Sequence, residues 1–386
     1  MARNVRTPVL GSPLETFTTW SPFMDFGIFL LMQQRNKHKT SYEILRDAVE
    51  QTRVADELGF GAAWFAEHHF TNYGMCSSPL TMIAHCAAVT KRIRLGTGIV
   101  VAPLYTPARL IADIAMVDQL SDGRLNVGVG SGYQQFEFER FGVSLEQSKQ
   151  RTLEMLDMLE LGLKQPKFSY EGQYYRQPPS AISQRALQSP MPPLWITSVD
   201  PTFVARAVRE EKHLFVSGGD GGLEKLQATR ALIDRTAAAE GKDAGKVKVG
   251  LLRAAYASDD KAEVDRYLDC SRYQRRVALS MKRRTAQIAD DYQVAETAVD
   301  GEPTIEESRA LLPVGSIDTV IERVIAEIRT LRPVHYCFQT QMGDFDQKTM
   351  LRQLETWSKV IIPTVQQEIA NDPPYTVAKA PELAVA

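Results

Sequence analysis

The sequence contains little cysteine. Its 386 residues include four, Cys76, Cys86, Cys270 and Cys337, which lie far apart along the chain. None has the CxxC spacing of a redox or zinc motif, and none is paired with a histidine at metal-ligand spacing. Because a disulfide framework requires a dense cysteine pattern, we expect four reduced structural thiols with no role in chemistry.

Long apolar runs and an excess of either charge are also missing. The 45 basic and 47 acidic side chains give a formal net charge of -2 at pH 7, which provides no electrostatic basis for binding nucleic acid. No stretch approaches the roughly 20 consecutive apolar residues of a membrane span, and residues 1–22 lack the apolar core of a signal peptide. The sequence has no HExxH motif. We therefore expect a cytoplasmic protein without a metal site.

Short apolar runs alternate with amphipathic segments along most of the chain. Each run has the length of a buried strand, and each following segment shows the period of a helix. Eight such steps favour a closed α/β barrel, the (β/α)8 TIM barrel, over a doubly wound sheet. The predicted strands span residues 24–30, 61–66, 93–103, 124–129, 193–197, 213–217, 247–258 and 335–340.

Two segments interrupt this alternation and predict insertions. Residues 164–193, after the fourth strand, are proline-rich and aromatic, and residues 270–310, after the seventh, carry a basic cluster followed by acidic residues. Such a cluster is typical of a solvated helix face, and a lid or partner-facing region is the alternative. We predict an N-terminal extension (1–22), a single barrel domain (23–369) and a mobile C-terminal tail (370–386).

The strongest functional signal is the segment GAAWFAEHHF at residues 61–70. It reads as a short apolar strand that ends in Glu67, His68 and His69. Polar residues at the C-terminal end of a barrel strand line the mouth, where barrel enzymes hold their active sites. Since side chains alternate along a strand, we expect Glu67 and His69 to share one direction and His68 to take the other, unless the strand has already ended.

Two glycine-rich segments follow predicted strands. Residues 128–133 (GVGSGY) do not fit the dinucleotide fingerprint, because its last glycine would fall at Tyr133; they bring backbone amides close to a ligand or make a tight turn. Residues 217–222 (SGGDGG) precede a helix and suit a phosphate, or form a flexible loop in which Asp220 would repel that phosphate.

Taken together, these motifs resemble the bacterial luciferase-like, flavin-dependent monooxygenases. The resemblance extends over most of residues 24–368, and EHHF combined with the DQLS-GR-GVG-G run is highly specific. The matching segments are MDFGIFL (24–30), ADELGFGAAWFAEHHF (55–70), IRLGTGIVVAP (93–103), TPARLIADIAMVDQLSDGRLNVGVGSG (106–132), PLWITS (193–198) and LPVGSIDTVIERV (312–324).

The resemblance implies a barrel that binds reduced FMN at its C-terminal mouth, where dioxygen adds to flavin C4a and a small organic, hydrophobic or carbonyl substrate is oxygenated. It implies that His68 is catalytic with Glu67 beside it, that the Gly98-Ile99 peptide is cis, that a flavin reductase supplies FMNH2, and that the chain forms a homo- or heterodimer. The implied cofactor-binding residues are Thr97, Gly98, Gly130, Ser131, Thr197, Ser198, Gly218 and Gly219.

The chain departs from the family pattern around the flavin phosphate. Ser131 replaces the phosphate-binding arginine of luciferase, Gly130 replaces its reactive cysteine, and Val199-Asp200 replaces the usual Glu-Ser pair. Either the neighbouring hydroxyls and the amides of residues 218–222 hold the phosphate, or flavin binds weakly as a diffusing co-substrate. Two other functions stay open, a non-catalytic flavin-binding or partner subunit and an oxidoreductase that uses F420.

Overall fold

The computed structural model describes residues 24–372. The predicted extension at residues 1–22 lies outside these residues, as does all but the beginning of the predicted tail. Among the described residues, no helix combines the length and the apolar character needed to cross a membrane.

Eight parallel strands form a closed barrel, as the alternation predicts. Each strand pairs with the next along the chain, and the last pairs with the first. The hydrogen-bonded pairing Leu95↔Leu125 joins the third and fourth strands and completes the ring. The strands are β1 Asp25–Leu30, β2 Ala62–Phe65, β3 Arg94–Thr97, β4 Leu125–Gly130, β5 Leu194–Ile196, β6 His213–Ser217, β7 Val249–Arg253 and β8 His335–Gln341.

Helices surround the barrel, and the local sequence explains where several begin. Thr40 and Glu43 form a capping box at the start of the first helix, and Pro79 and Pro107 open the next two. The helices are α1 Ser41–Glu57, α2 Pro79–Ala87, α3 Pro107–Leu120, α4 Gln135–Arg140, α5 Ser148–Lys164, α6 Pro201–Arg209, α7 Leu223–Ala239, α8 Lys261–Arg283, α9 Ile305–Leu311, α10 Ile317–Leu331, α11 Gln347–Thr356 and α12 Ile362–Ile369.

Insertions follow the fourth and seventh strands, as expected. The first contains an antiparallel hairpin formed by Phe168–Glu171 and Arg176–Ser180. The second contains α8, a small antiparallel pair formed by Ile288–Ala289 and Tyr292–Gln293, and α9. Three apolar residues of α8, Tyr273, Val277 and Met281, belong to the apolar cluster of the barrel interior, so this insertion lies over the C-terminal mouth.

Aromatic side chains fill the middle of the barrel. Trp64 of β2 stacks on Phe215 of β6 at a centroid distance of 4.7 Å and meets Trp195 of β5 edge-on at 5.3 Å. Trp64 Nε1 also bonds His335 Nε2 at 2.9 Å. Trp64 is fully buried in this layer. A site that is open to ligands must therefore lie between this aromatic layer and the C-terminal mouth of the barrel.

Two predicted strands and one helix are interrupted in the structure. The third strand, expected over residues 93–103, breaks at the cis peptide Gly98-Ile99, after which Val100–Val101 pairs with the end of β4. The seventh strand, expected over residues 247–258, ends at Arg253, and Tyr256–Ala257 pairs with Val314–Gly315 in a separate two-stranded sheet. The last helical segment, from α11 to α12, contains a π-helical turn at Trp357–Ile361 before Pro363. Because proline has no amide hydrogen to donate, the regular hydrogen-bond ladder cannot pass through this position.

Candidate active site

The EHHF segment lies at the mouth of the barrel. β2 ends at Phe65, and the chain then turns back so that the His68 amide bonds the carbonyl of Cys76 at 3.0 Å. Phe70 takes a left-handed conformation with φ of 62°, which a bulky residue adopts only where the surrounding structure enforces it. The three polar residues are therefore held in a defined turn.

Glu67 is buried and fully engaged. Its Oε1 bonds His69 Nε2 at 2.9 Å, and its Oε2 accepts the Tyr105 hydroxyl at 2.9 Å and the Val101 amide at 3.1 Å. Burial and the Glu67 carboxylate raise the pKa of Tyr105 well above its usual value, so this hydroxyl stays protonated and donates. Glu67 thus joins the EHHF turn to the segment that follows β3.

His68 points to a different set of residues from Glu67, although β2 has already ended at Phe65 and strand alternation no longer applies. Its Nδ1 lies 3.0 Å from Oε1 of Glu137, on α4, and the same oxygen accepts the His69 amide at 2.8 Å. The ring edge packs on Tyr73 at a centroid distance of 4.3 Å. Nε2 makes no hydrogen bond within residues 24–372, and it is the ring nitrogen free to meet a ligand.

Two tyrosines complete the wall beside His68. The hydroxyls of Tyr73 and Tyr133 lie 3.0 Å apart. Burial raises the pKa of Tyr73, so its phenol is neutral near pH 7. Tyr133 remains partly exposed at the edge of the mouth.

Small residues line the part of the mouth formed by β3 and β4, the two strands that follow β2 in the barrel. The cis peptide Gly98-Ile99 that the family resemblance predicted is present. A Cβ at Gly98 would lie 2.8 Å from the ring of Phe29, and one at Gly130 would lie 2.3 Å from Ile99 Cδ1. These two glycines therefore make room at the mouth for the side chains of Phe29, on β1, and Ile99.

Not every predicted cofactor residue turns a free group to the mouth. The Thr97 hydroxyl accepts the Gly128 amide at 2.8 Å and donates to the Gly128 carbonyl at 2.8 Å, so it stays within the barrel wall. The amides of Gly218 and Gly219 bond the Leu252 carbonyl and the Ser217 hydroxyl. These hydroxyl and amide groups already form hydrogen bonds within the protein.

The second glycine loop encloses a buried arginine that sequence reasoning missed. Arg253, at the end of β7, donates to the carbonyls of Gly219 and Gly221 at 2.9 and 3.0 Å and pairs with Glu327 of α10 at 2.7 Å. A Cβ at Gly218 would lie 2.4 Å from Arg253 Nη1. The carbonyls of the loop thus accept hydrogen bonds from a protein side chain. The glycine spacing alone does not distinguish such a loop from one that binds a phosphate.

Several buried polar atoms have no hydrogen-bond partner within residues 24–372, among them both side-chain amide atoms of Gln134, just before α4. Two others belong to side chains of the barrel interior: Thr197 Oγ1, just after β5, and Gln339 Nε2, on β8. Thr197 and Gln339 each follow a side chain of the barrel interior by two residues, Trp195 and Cys337 respectively. Because side chains alternate along a strand, Thr197 and Gln339 also point into the barrel. Buried polar groups are rarely left unpaired, so these two atoms suit a polar ligand.

The departure at Asp200 is compensated in the structure. Asp200 caps α6 and pairs with Lys149, whose Nζ lies 2.9 Å from its Oδ1. Although burial acts in the opposite direction, hydrogen bonds from Lys149 and Thr202 hold the pKa of Asp200 below its usual value. Ser198 is also engaged here, since its hydroxyl accepts the Asp200 amide. The Asp200 carboxylate is thus paired with the ammonium group of Lys149, a residue that the sequence motifs did not identify.

A model of luciferase-like monooxygenases matches residues 24–332 of the sequence. The chain belongs to the luciferase-like monooxygenase family. Among the relatives of this luciferase-like chain, uncharacterised protein y4vJ of Sinorhizobium fredii is 48% identical over 348 residues, covering 90% of this chain and 99% of the relative. The oxygenase component of the flavin-dependent trigonelline monooxygenase of Acinetobacter baylyi is 31% identical over 245 residues, covering 62% of this chain and 67% of the relative.

Several solved structures share the barrel. Monooxygenase RslO1 from Streptomyces bottropensis superposes with a TM-score of 0.78 at 23% identity, covering 88% of this chain and 99% of that chain. The oxygenating constituent of 3,6-diketocamphane monooxygenase from Pseudomonas putida, in complex with FMN, gives 0.72 at 19%, covering 88% and 98%. An F420-dependent secondary alcohol dehydrogenase gives 0.69 at 19%, covering 89% and 99%. At these identities the likeness supports the fold alone.

Proposed function

We propose that this protein is the oxygenase component of a two-component monooxygenase that uses reduced FMN and dioxygen to oxygenate a small hydrophobic or carbonyl substrate. A separate flavin reductase would supply the reduced FMN, and the cytoplasm and a dimeric assembly are the expected setting. The observation that carries the proposal is His68, held through Nδ1 by the buried Glu137 in the mouth of a luciferase-like barrel.

The residues at the mouth fit a flavin. Thr197 Oγ1 and Gln339 Nε2 are unpaired polar atoms that suit the amide-like groups of the pyrimidine ring, and Gly98 and Gly130 present no side chain of their own beyond Cα. We propose that Ser131, Ser198 and Lys149 hold the phosphate, with Lys149 supplying the positive charge that luciferase takes from an arginine. Bound reduced FMN supplies the electrons that activate dioxygen.

His68 is the proposed proton-transfer group. Imidazole is the side chain whose charge changes most readily near neutral pH, and Nε2 is the ring nitrogen not bound to Glu137. When neutral, this nitrogen accepts a proton from the reacting oxygen, and when protonated it donates one. Glu67 is proposed as a positioning residue, because both of its oxygens bond groups of the protein.

Water exclusion is the proposed role of the second insertion. Tyr273, Val277 and Met281 of α8 place apolar surface over the mouth. A dry site retards the unproductive release of hydrogen peroxide, so the insertion would couple oxygen consumption to substrate oxygenation.

The test is an anaerobic titration of the full chain with reduced FMN, followed by mixing with oxygenated buffer. Oxygen consumption, hydrogen peroxide and the absorbance of oxidised flavin are recorded. We expect reduced FMN to bind and oxidised flavin to return well after oxygen is consumed. His68→Asn should bind reduced FMN equally but release peroxide about 100-fold faster.

A lysine pair tests the phosphate assignment in the same titration. Lys149→Met should weaken the binding of reduced FMN about tenfold, the loss of one charge-assisted hydrogen bond. Lys164→Met, at the other end of α5 and paired with Glu160, should leave it unchanged. Binding of reduced F420 in place of FMN would support a hydride-transfer enzyme, and immediate peroxide release by the unmodified chain would support a non-catalytic subunit.

A further inference from the structure

Glu137 makes two contacts through one oxygen. Oε1 accepts the backbone amide of His69 at 2.8 Å and lies 3.0 Å from His68 Nδ1. An amide N–H can only donate, so Oε1 is fixed as an acceptor. An ionised Glu137 has no proton of its own to share, and the hydrogen bond to His68 then requires the proton to sit on Nδ1.

The other groups facing His68 support this assignment. Tyr73 packs on the ring from the β2–α2 loop, and Tyr133, after β4, lies with its ring 6.3 Å away. Burial raises the pKa of Tyr73, and the Glu137 charge adds to this rise, so the phenol is neutral. Glu67 is turned to His69 instead. Glu137 is therefore the carboxylate in contact with the His68 ring.

The Glu137–His68 pair resembles the carboxylate–histidine pair of hydrolases, in which the carboxylate orients the catalytic histidine. A carboxylate beside Nδ1 selects one neutral tautomer and stabilises the imidazolium form. Both effects act on Nε2, which gains basicity and a fixed direction. An exposed glutamate would give little of either, but Glu137 is 1% exposed.

We propose that Glu137 is a positioning residue that holds neutral His68 as the Nδ1–H tautomer and stabilises its protonated form, so that Nε2 alone exchanges the proton with the reacting oxygen. This inference rests on the proposed oxygenase function for its catalytic meaning. The tautomer and the proton affinity of His68 are properties of the protein itself and are measured without flavin or substrate.

The first measurement is histidine side-chain 15N NMR of the full chain, with the His68 signals assigned by their loss in His68→Asn. We expect neutral His68 to carry its proton on Nδ1. A neutral form protonated on Nε2 would overturn the proposal even if the chain proves to be an oxygenase.

The second measurement compares two glutamine variants on the same helix. Glu137→Gln keeps a carbonyl that accepts from His69 but removes the charge, so the pKa of His68 should fall by about one unit or more. Glu139→Gln is the matched control, because Glu139 is exposed and pairs with Arg284 and Gln135; it should leave that pKa unchanged. Equal His68 pKa values in the unmodified chain and in Glu137→Gln would refute the proposal.

The pH profile then connects the dyad to catalysis. In Glu137→Gln the limb of the oxygenation rate that reports His68 should move to lower pH by the same shift seen in NMR. If Glu137→Gln fails to fold, the tautomer of the unmodified chain and the His68 pKa in Glu137→Asp decide the question. The shorter carboxylate keeps the charge but draws it back from Nδ1, so a lowered His68 pKa there supports the dyad and an unchanged one contradicts it. Absence of flavin binding would contradict the oxygenase function while leaving the NMR result intact.

Discussion

At the scale of single residues, the site depends on polar groups buried beside one another. The sequence motif placed Glu67, His68 and His69 correctly at the C-terminal end of a strand, and the structure has them just beyond it. It did not identify Glu137, because a buried glutamate in a short helix looks like any surface glutamate in an amphipathic pattern. Lys149 was missed for the same reason, since only the fold brings it to Asp200.

A buried histidine at the other end of the barrel gives a prediction on pH stability. Burial, together with Lys248 and Arg94, lowers the pKa of His213 to about 3. Between this value and the ordinary value near 6.5, the unfolded chain binds a proton that the folded chain does not, so stability falls as pH falls. We expect His213 to remove about 2 kcal/mol of unfolding free energy between pH 7 and pH 5.

Urea unfolding at the two pH values checks this expectation. His213→Gln should lose about 2 kcal/mol less than the unmodified chain on going to pH 5. His85→Gln, at an exposed position on α2, is the control and should follow the unmodified chain. If the unfolding free energies of all three proteins have the same pH dependence, His213 binds its proton equally in the folded and the unfolded chain.

At the scale of elements, the sequence predicted the eight strands and most helices because burial imposes a clear period on each. It could not predict where the third strand breaks or where the last helix takes a wider turn, since these depend on backbone geometry that hydropathy does not record. The glycine loop at residues 218–222 shows the same limit. Its glycines make room for Arg253, which arrives from the next strand.

The Arg253–Glu327 pair should hold three elements together: β7, α10 and the glycine loop. Both side chains are buried, and burial raises the pKa of Glu327. Arg253→Met leaves a carboxylate buried without its cation, so we expect a loss of about 3 to 5 kcal/mol in unfolding free energy. Chemical denaturation provides the measurement.

The double variant Arg253→Met/Glu327→Gln separates the charge from the packing. The introduced glutamine carbonyl can still accept the Tyr336 hydroxyl, which Glu327 accepts at 2.7 Å, so most of the loss should be recovered. Lys242→Met breaks the exposed pair with Glu211 and should cost at most about 1 kcal/mol. If Arg253→Met is as stable as Lys242→Met, the buried pair contributes nothing to holding the loop.

At the scale of the whole molecule, the second insertion is attached to the mouth by polar contacts from the loop after β1. Arg35 donates to Asp269 on α8 and, at 3.1 Å, to both oxygens of Glu296 beyond the hairpin. Asn72, two residues beyond the EHHF segment, donates to the Tyr273 hydroxyl at 3.0 Å and accepts the Gln293 amide at 2.9 Å. The position of the insertion and that of the active-site turn are thus linked.

We therefore expect Arg35→Met to loosen the insertion without unfolding the barrel. Because contacts of this kind contribute about 1 kcal/mol, amide hydrogen exchange in residues 288–293 should become about fivefold faster while the strands keep their protection. In the proposed oxygenase the peroxide yield should rise, since water reaches the mouth. Arg176→Met, which breaks the exposed Arg176–Glu171 pair of the other hairpin, is the control and should change neither. If exchange accelerates equally in the barrel strands, Arg35 stabilises the whole fold and the insertion is not a separate unit.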